Sequence, residues 1–144
     1  MPAPTRFANL LKIKKDHLSS VESVLLEADL FLRVCLELKE YFRSEHSSYF
    51  RLMKFTKKME DVMLDASFVS LMIKDILSSQ EYTIEGVAQY TNFPEDIFYE
   101  IIAGLNVSPS ASLLQRAIEL HRMVRPKLYE AIIKKIHSEY QATA

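Results

Sequence analysis

Residues 83–109 read TIEGVAQYTNFPEDIFYEIIAGLNVSP, and this stretch contains two short helices with their start and stop signals. Thr83 is a good helix cap and predicts a first helix of about eight residues after it. Asn92-Phe93-Pro94 predicts a turn, because asparagine tolerates left-handed backbone and proline suits the first position of the next helix. That second helix is expected to end at Gly104.

The spacing of these residues resembles the helix-turn-helix of the phage repressor and Cro family. An apolar and a small residue, Val87-Ala88, precede the turn position at Asn92, as they do in that family. Further matching positions follow at Phe98, Ile101, Gly104, Asn106, Pro109, Ser110, Leu113 and Leu114. The resemblance covers roughly the last eighty residues. It implies a five-helix module over residues 66–144, with its first helix at about 66–77 and its fifth after Pro126.

The resemblance implies a small bacterial or phage-type transcriptional regulator that binds double-stranded DNA as a dimer. Candidate DNA contacts near the motif are Asn92, Tyr99, Asn106, Ser108 and Ser110. Candidate auxiliary phosphate contacts are Lys54, Lys57, Lys58, Lys134 and Lys135. The basic face around residues 51–58 is also typical of an ordinary solvated helix face.

The outward face of the second helix favours a different function. Its predicted outward residues are Glu95, Asp96, Tyr99 and Glu100, and no Lys or Arg occurs from Glu81 to Gln115. Carboxylates are repelled by phosphates, and affinity for DNA is mostly phosphate electrostatics. The alternative hypothesis is a protein-protein interaction adaptor or anti-regulator that keeps the helix-turn-helix shape without binding DNA. Glu95, Asp96 and Glu100 would then bind a basic partner.

The N-terminal part of the chain predicts a helical arm over residues 1–65. A short helix is expected from Thr5 to Asp16, and the capping-box pair Ser19 and Glu22 predicts a second helix that continues to about Arg43. The apolar residues of this second helix spread beyond one face, which favours burial on two sides. We expect homodimerisation through Leu25, Phe31, Leu32, Cys35 and Leu38. The alternative is a central helix covered by its own neighbours.

The middle of the chain continues the helical pattern. Ser44 to Ser48 is polar and predicts a turn, and residues 49–77 have helical periodicity without proline or glycine. This stretch predicts either one long helix or two helices with a break near Asp65. The whole pattern predicts an all-α protein, in which a long-helix dimerisation arm precedes the five-helix module.

Composition excludes several classes of protein. The chain has 144 residues, of which 49 % are hydrophobic and 26 % charged, with a net charge of −1, as expected of a globular domain. Cys35 is the single cysteine, and the most apolar stretch is interrupted by charges, so we expect a cytoplasmic protein that does not span a membrane. The four histidines have no metal-ligand spacing, and no catalytic motif is present. We therefore expect no enzyme activity, no metal and no cofactor, with Cys35 as a small core residue.

Overall fold

The computed structural model describes residues 19–105 and 109–143, and every regular element among them is an α-helix. The seven helices of these residues are α1 (Ser20–Glu45), α2 (Ser47–Leu52), α3 (Lys57–Ser78), α4 (Ile84–Thr91), α5 (Glu95–Ile102), α6 (Ala111–Val124) and α7 (Pro126–Thr143). The all-α prediction is confirmed. The helix predicted from Thr5 to Asp16 lies outside the described residues.

The chain divides into two compact units. One unit combines the chain up to Glu40 with the chain from Lys127 onward, so that its described part is most of α1 and nearly all of α7. The other unit is Tyr41–Pro126 and contains α2 to α6. The sequence predicted a division between residues 65 and 66. That point lies within α3, which is continuous from Lys57 to Ser78.

Helix α1 begins at the predicted capping box. The Ser19 amide donates to Glu22 Oε1 over 3.0 Å, and the Glu22 amide donates to Ser19 Oγ over 3.2 Å. These two bonds satisfy amide groups that have no partner within the helix. Leu30, Val34 and Leu38 form a buried face along the helix. The predicted start of α1 is therefore confirmed, and the helix ends two residues beyond the predicted Arg43.

Two ion pairs join α1 to α7 within the first unit. Arg33 pairs with Glu139, and Lys135 Nζ lies 2.7 Å from Glu37 Oε1. Because these side chains are partly exposed, each pair stabilises the packing of the two helices by about 0.2–1 kcal/mol. The two pairs therefore contribute little to the free energy of unfolding, although they favour one alignment of the two helices.

The breaks between α1, α2 and α3 differ from those predicted. The predicted turn over residues 44–48 is reduced to His46 between two helices, and no break occurs near Asp65. The chain turns at residues 53–56 instead, where Lys54 adopts a left-handed φ of 57° and the Phe55 amide donates to the Phe50 carbonyl over 3.0 Å. This arrangement is a helix C-cap formed without glycine. Thr56 then caps α3 by accepting from the Met59 amide over 3.2 Å.

The core of the second unit forms around α3, which packs against α5 and α6, while α4 packs against the same two helices. The buried side chains of α3 include Leu64, Phe68, Met72, Ile73 and Ile76. These positions recur at three- and four-residue steps, which places them on one side of the helix. The position and orientation of α4 and α5 therefore follow from a single shared core.

Local signals mark the starts of the last two helices. Ser110 caps α6, because its hydroxyl accepts from the Leu113 amide over 3.2 Å. Arg125 ends α6, and Pro126 begins α7 as predicted. Proline is well suited to this first position because its missing N–H would have no partner within the helix.

Candidate functional site

The first helix of the predicted helix-turn-helix is α4. Thr83 Oγ1 accepts from the Gly86 amide over 3.2 Å, which confirms the predicted cap. Val87 and Ala88 are buried, and the small side chain of Ala88 lets α4 approach its neighbours closely. Thr91 is also buried, and its hydroxyl donates to the Val87 carbonyl over 2.8 Å, so the last turn of α4 carries no unsatisfied hydroxyl.

The turn between α4 and α5 has the predicted backbone. Asn92 has φ 61° and ψ 37°, in the left-handed region that asparagine tolerates better than most other residues. The Phe93 amide donates to the Ala88 carbonyl over 3.2 Å and closes the end of α4. Pro94 precedes the first helical residue, one position earlier than predicted, and fixes the direction in which α5 leaves the turn.

Helix α5 has one buried side and one charged side. Phe98 and Ile101 are fully buried on the inner side. Gly104 ends the helical segment with φ 79°, and the Leu105 amide donates to the Glu100 carbonyl over 2.9 Å. The outer side carries exposed Glu95, Asp96, Tyr99 and Glu100, as the sequence predicted. Together with exposed Glu85 on α4, we call these residues the acidic surface.

An open hollow of about 450 Å³ lies at the turn between the two helices. It is lined by Glu85, Ala88, Gln89, Asn92, Phe93, Pro94 and Glu95. The two carboxylates come from different helices, whereas Phe93 and Ala88 give the hollow an apolar part. This combination suits an extended cationic side chain, whose stem is apolar and whose end is charged.

The predicted DNA contacts do not form one basic surface within the described residues. Asn92 and Tyr99 are exposed at the turn and on α5, where their charged neighbours are carboxylates. Ser110 is exposed, but its hydroxyl caps α6. Asn106 and Ser108 lie outside the described residues.

The five predicted lysines are distributed over both compact units. Lys54, Lys57 and Lys58 are exposed around the start of α3, in the second unit. Lys134 and Lys135 are exposed on α7, in the first unit, and Lys135 bonds Glu37. Neither set lies on α4 or α5.

The predicted dimerisation residues fall into two groups. Leu25 and Leu32 are 64 % and 62 % exposed, and Phe31 is partly exposed. Cys35 and Leu38 are buried within the single chain, so these two residues cannot form a dimer interface without unfolding α1 from its neighbours. Burial raises the pKa of the Cys35 thiol to about 12, and the positive charge of Lys39 lowers this pKa by a smaller amount. Such a thiol stays protonated at neutral pH and is a poor nucleophile.

A partly buried polar cluster joins α3 to the end of α6, and the sequence pattern did not predict it. His121 is fully buried, and its Nε2 lies 2.6 Å from Asp75 Oδ2. Arg125 Nε donates to the same oxygen over 3.2 Å, and Arg125 Nη2 donates to Asp75 Oδ1 over 3.3 Å and to Ser78 Oγ over 3.0 Å. Burial acts to raise the pKa of Asp75, but the bonds from His121 and Arg125 outweigh it and lower the pKa to about 2.

This cluster has a structural role. The partners are 46 and 50 residues apart in sequence, so no local pattern connects them. The one available signal was the four-residue spacing of His121 and Arg125, which places both on the same face of α6.

Within residues 19–105 and 109–143, no group of three or more His, Cys, Asp or Glu side chains is placed to hold a metal ion.

Comparison of the chain with models of protein families, with curated proteins and with solved structures found no match. None of the helices that the structure describes is long and apolar enough to cross a membrane.

Proposed function

We propose that the α4–α5 pair is a protein-interaction surface that binds a basic, partly apolar segment of a partner protein. The observation that carries this proposal is the acidic surface itself. The outer residues of α5 are carboxylates with one aromatic ring, and they lie on a helix anchored by buried Phe98 and Ile101. A rigid helix with exposed charges of one sign recognises a partner of opposite charge.

The charge of α5 argues against the docking geometry of a DNA-reading helix. In that geometry the N-terminal residues of the second helix enter the major groove. Here those residues are Glu95 and Asp96, followed one turn later by Glu100. A carboxylate about 4 Å from a phosphate is repelled by about 1 kcal/mol even in bulk water, and more where water is excluded. Both first-turn acids are instead well placed for the positive end of the helix dipole of α5.

The hollow at the turn supports the chemistry of the proposed partner. Glu85 and Glu95 both line it and come from different helices, so that carboxylates on two sides of the turn face the same space. Phe93 provides an aromatic wall for the apolar stem of an Arg or Lys. Tyr99 is 56 % exposed on the outer face of α5 and offers a second apolar contact.

A second candidate function is the dimeric DNA-binding regulator. The left-handed Asn92, the Thr83 cap and the buried Ala88 favour it, because these features carry the resemblance to the repressor family. In this candidate residues 66–144 form the five-helix module, and the auxiliary phosphate contacts are Lys54, Lys57, Lys58, Lys134 and Lys135.

A binding experiment separates the two candidates. A fluorescein-labelled peptide of alternating Arg and Leu and a random labelled duplex are titrated with the protein at low and at physiological salt. We expect the peptide to bind and the duplex not to bind. The variant Glu95→Gln with Asp96→Gln and Glu100→Gln is expected to weaken peptide binding by on the order of tenfold or more, because three charge contacts are lost.

The matched control is Glu130→Gln, which removes an exposed carboxylate from α7 in the other unit. This control is expected to bind the peptide as the wild type does. Duplex binding that weakens steeply with salt and disappears in Lys57→Glu with Lys58→Glu would contradict the proposal and establish the second candidate.

A further inference from the structure

A second charged surface lies around the junction of α2 and α3. Arg51, Lys54, Lys57 and Lys58 are all exposed there, and residues 51–58 contain no acidic residue. Exposed apolar side chains lie on the same segment: Leu52 is 78 % exposed and Val62 is 63 % exposed, with Met53 and Met59 about half exposed. We call these eight residues the basic surface.

The basic surface is supported by aromatic packing, and within residues 19–105 and 109–143 no ion pair involves its four cations. The rings of Phe50 and Phe55 stack with centroids 5.7 Å apart beneath the turn. The nearest acids of α3 are engaged elsewhere, since Glu60 Oε1 lies 2.6 Å from Arg43 Nη1 and Asp61 also pairs with Arg43. Exposed apolar residues rimmed by charged side chains are typical of an interaction surface.

The acidic surface is complementary to the basic surface in charge and in apolar content. Residues 81–115 contain five acidic residues and no basic residue, whereas residues 51–58 contain four basic residues and no acidic residue. Tyr99 and Leu105 are exposed beside the acids, as Leu52 and Met53 are beside the cations.

The residues of the two surfaces lie before and after α3 in chain order: the basic surface is at its start, and the helices of the acidic surface follow its end. Lys57 begins that helix, and α4 follows its end at Ser78. With 22 residues, α3 is about 33 Å long. A single chain therefore carries a basic surface at the start of α3 and an acidic surface on the two helices that follow the end of α3.

We infer that the basic segment recognised by the acidic surface is the basic surface of a second copy of this chain. This inference rests on the proposed function, because it names the partner of the acidic surface. Each copy binds one neighbour through α4 and α5 and another through α2 and the start of α3. Such a head-to-tail contact is heterologous, so it builds closed rings or open chains rather than an isolated two-fold dimer. Its strength depends on salt, because the contact joins exposed charges of opposite sign.

Sedimentation equilibrium of the full chain tests the inference at about 50 mM and about 500 mM salt. The average mass at low salt is expected to rise with concentration to several multiples of 16.7 kDa and to fall in high salt. Lys57→Glu with Lys58→Glu and, separately, Glu95→Lys with Asp96→Lys are each expected to weaken association by on the order of a hundredfold.

A mixture of the two reversed variants provides the decisive arm. The variant with reversed lysines keeps its acidic surface, and the variant with reversed acids keeps its basic surface, so these two intact surfaces can bind each other. The two altered surfaces also have opposite charge and can pair. The mixture is therefore expected to regain salt-dependent association, which also shows that both variants are folded. The control, Lys74→Glu with Lys127→Glu, reverses two exposed lysines outside the basic surface and is expected to associate as the wild type does.

The inference is overturned if the wild-type mass does not change with concentration or salt, or if the mixture stays as dissociated as its components. The Arg–Leu peptide, titrated into the full-length Lys57→Glu with Lys58→Glu variant, separates this failure from failure of the proposed function. If the peptide binds while the mixture stays dissociated, the acidic surface has a basic partner that is not this chain. If the peptide does not bind either, the proposed function fails as well.

Discussion

Asp75→Asn tests how much the polar cluster contributes to folding. The carboxylate accepts bonds from His121 Nε2 at 2.6 Å and from Arg125 Nε at 3.2 Å, and its pKa is lowered from 3.8 to about 2. A full shift of this size corresponds to about 2 kcal/mol. Because the carboxylate is 18 % exposed and Arg125 is about one third exposed, screening by solvent reduces this to about 1–2 kcal/mol.

The sign of the pH dependence follows from the lowered pKa. A carboxyl group whose pKa is depressed in the folded state stabilises that state at every pH above its unfolded pKa, here 3.8. The contribution declines as the pH falls from 3.8 towards 2, and about half of it has gone at pH 3. The difference in free energy of unfolding between wild type and Asp75→Asn is therefore expected to shrink below pH 4.

Urea unfolding followed by circular dichroism measures this difference at pH 7 and at pH 3. We expect Asp75→Asn to lower the free energy of unfolding by about 1–2 kcal/mol at pH 7, and by about half as much at pH 3. Glu130→Gln, at an exposed position, is the control and is expected to have almost no effect at either pH. A difference below about 0.5 kcal/mol at pH 7, or one that does not change between the two pH values, would refute the reasoning.

Three further predictions concern the backbone, α1 and the thiol. Asn92→Val is expected to lower the free energy of unfolding by about 1–2 kcal/mol in urea titrations, because a β-branched residue is strained at φ 61°, whereas Asn92→Gly is expected to be tolerated. An equal effect of both variants would show that the left-handed turn is not the cause. Leu25→Glu with Leu32→Glu is expected to leave the melting temperature unchanged and to abolish any salt-resistant dimer in light scattering, since both residues are exposed. A dimer that survives this change would contradict pairing through α1. Cys35 is expected to resist iodoacetamide at pH 8 until urea unfolds the chain, because burial raises its pKa to about 12. Rapid labelling of the folded protein would contradict this prediction.

Local chemistry made much of the fold predictable from the sequence. Ser19 with Glu22, Thr83, Asn92 and Gly104 each determine a helix end through bonds to residues only a few positions away. Such interactions require nothing from the rest of the chain, so the pattern alone indicates them. The outward direction of the α5 acids was predictable for the same reason, because helical spacing fixes it once the buried positions are known.

Features with no usual local signal, or that depend on distant residues, were not predictable. The left-handed Lys54 ends α2 without the usual glycine or asparagine, and Phe50 stacks with Phe55 across the same turn. The bond from His121 to Asp75 joins helices that are far apart in sequence. The burial of individual residues of α1 was also not predictable. When apolar residues occupy more than one face of a helix, the sequence does not indicate which of them pack against the same chain and which stay exposed.

The most direct test of the proposed function maps binding onto individual residues of the full chain. Two-dimensional NMR of the ¹⁵N-labelled protein is recorded during titration with the Arg–Leu peptide and, separately, with duplex DNA. We expect the peptide to shift the amide signals of Glu85, Gln89, Phe93, Glu95 and Tyr99, and we expect DNA at physiological salt to shift none of them. Shifts of these signals by DNA, without any response to the peptide, would contradict the proposal that α4 and α5 form a protein-interaction surface.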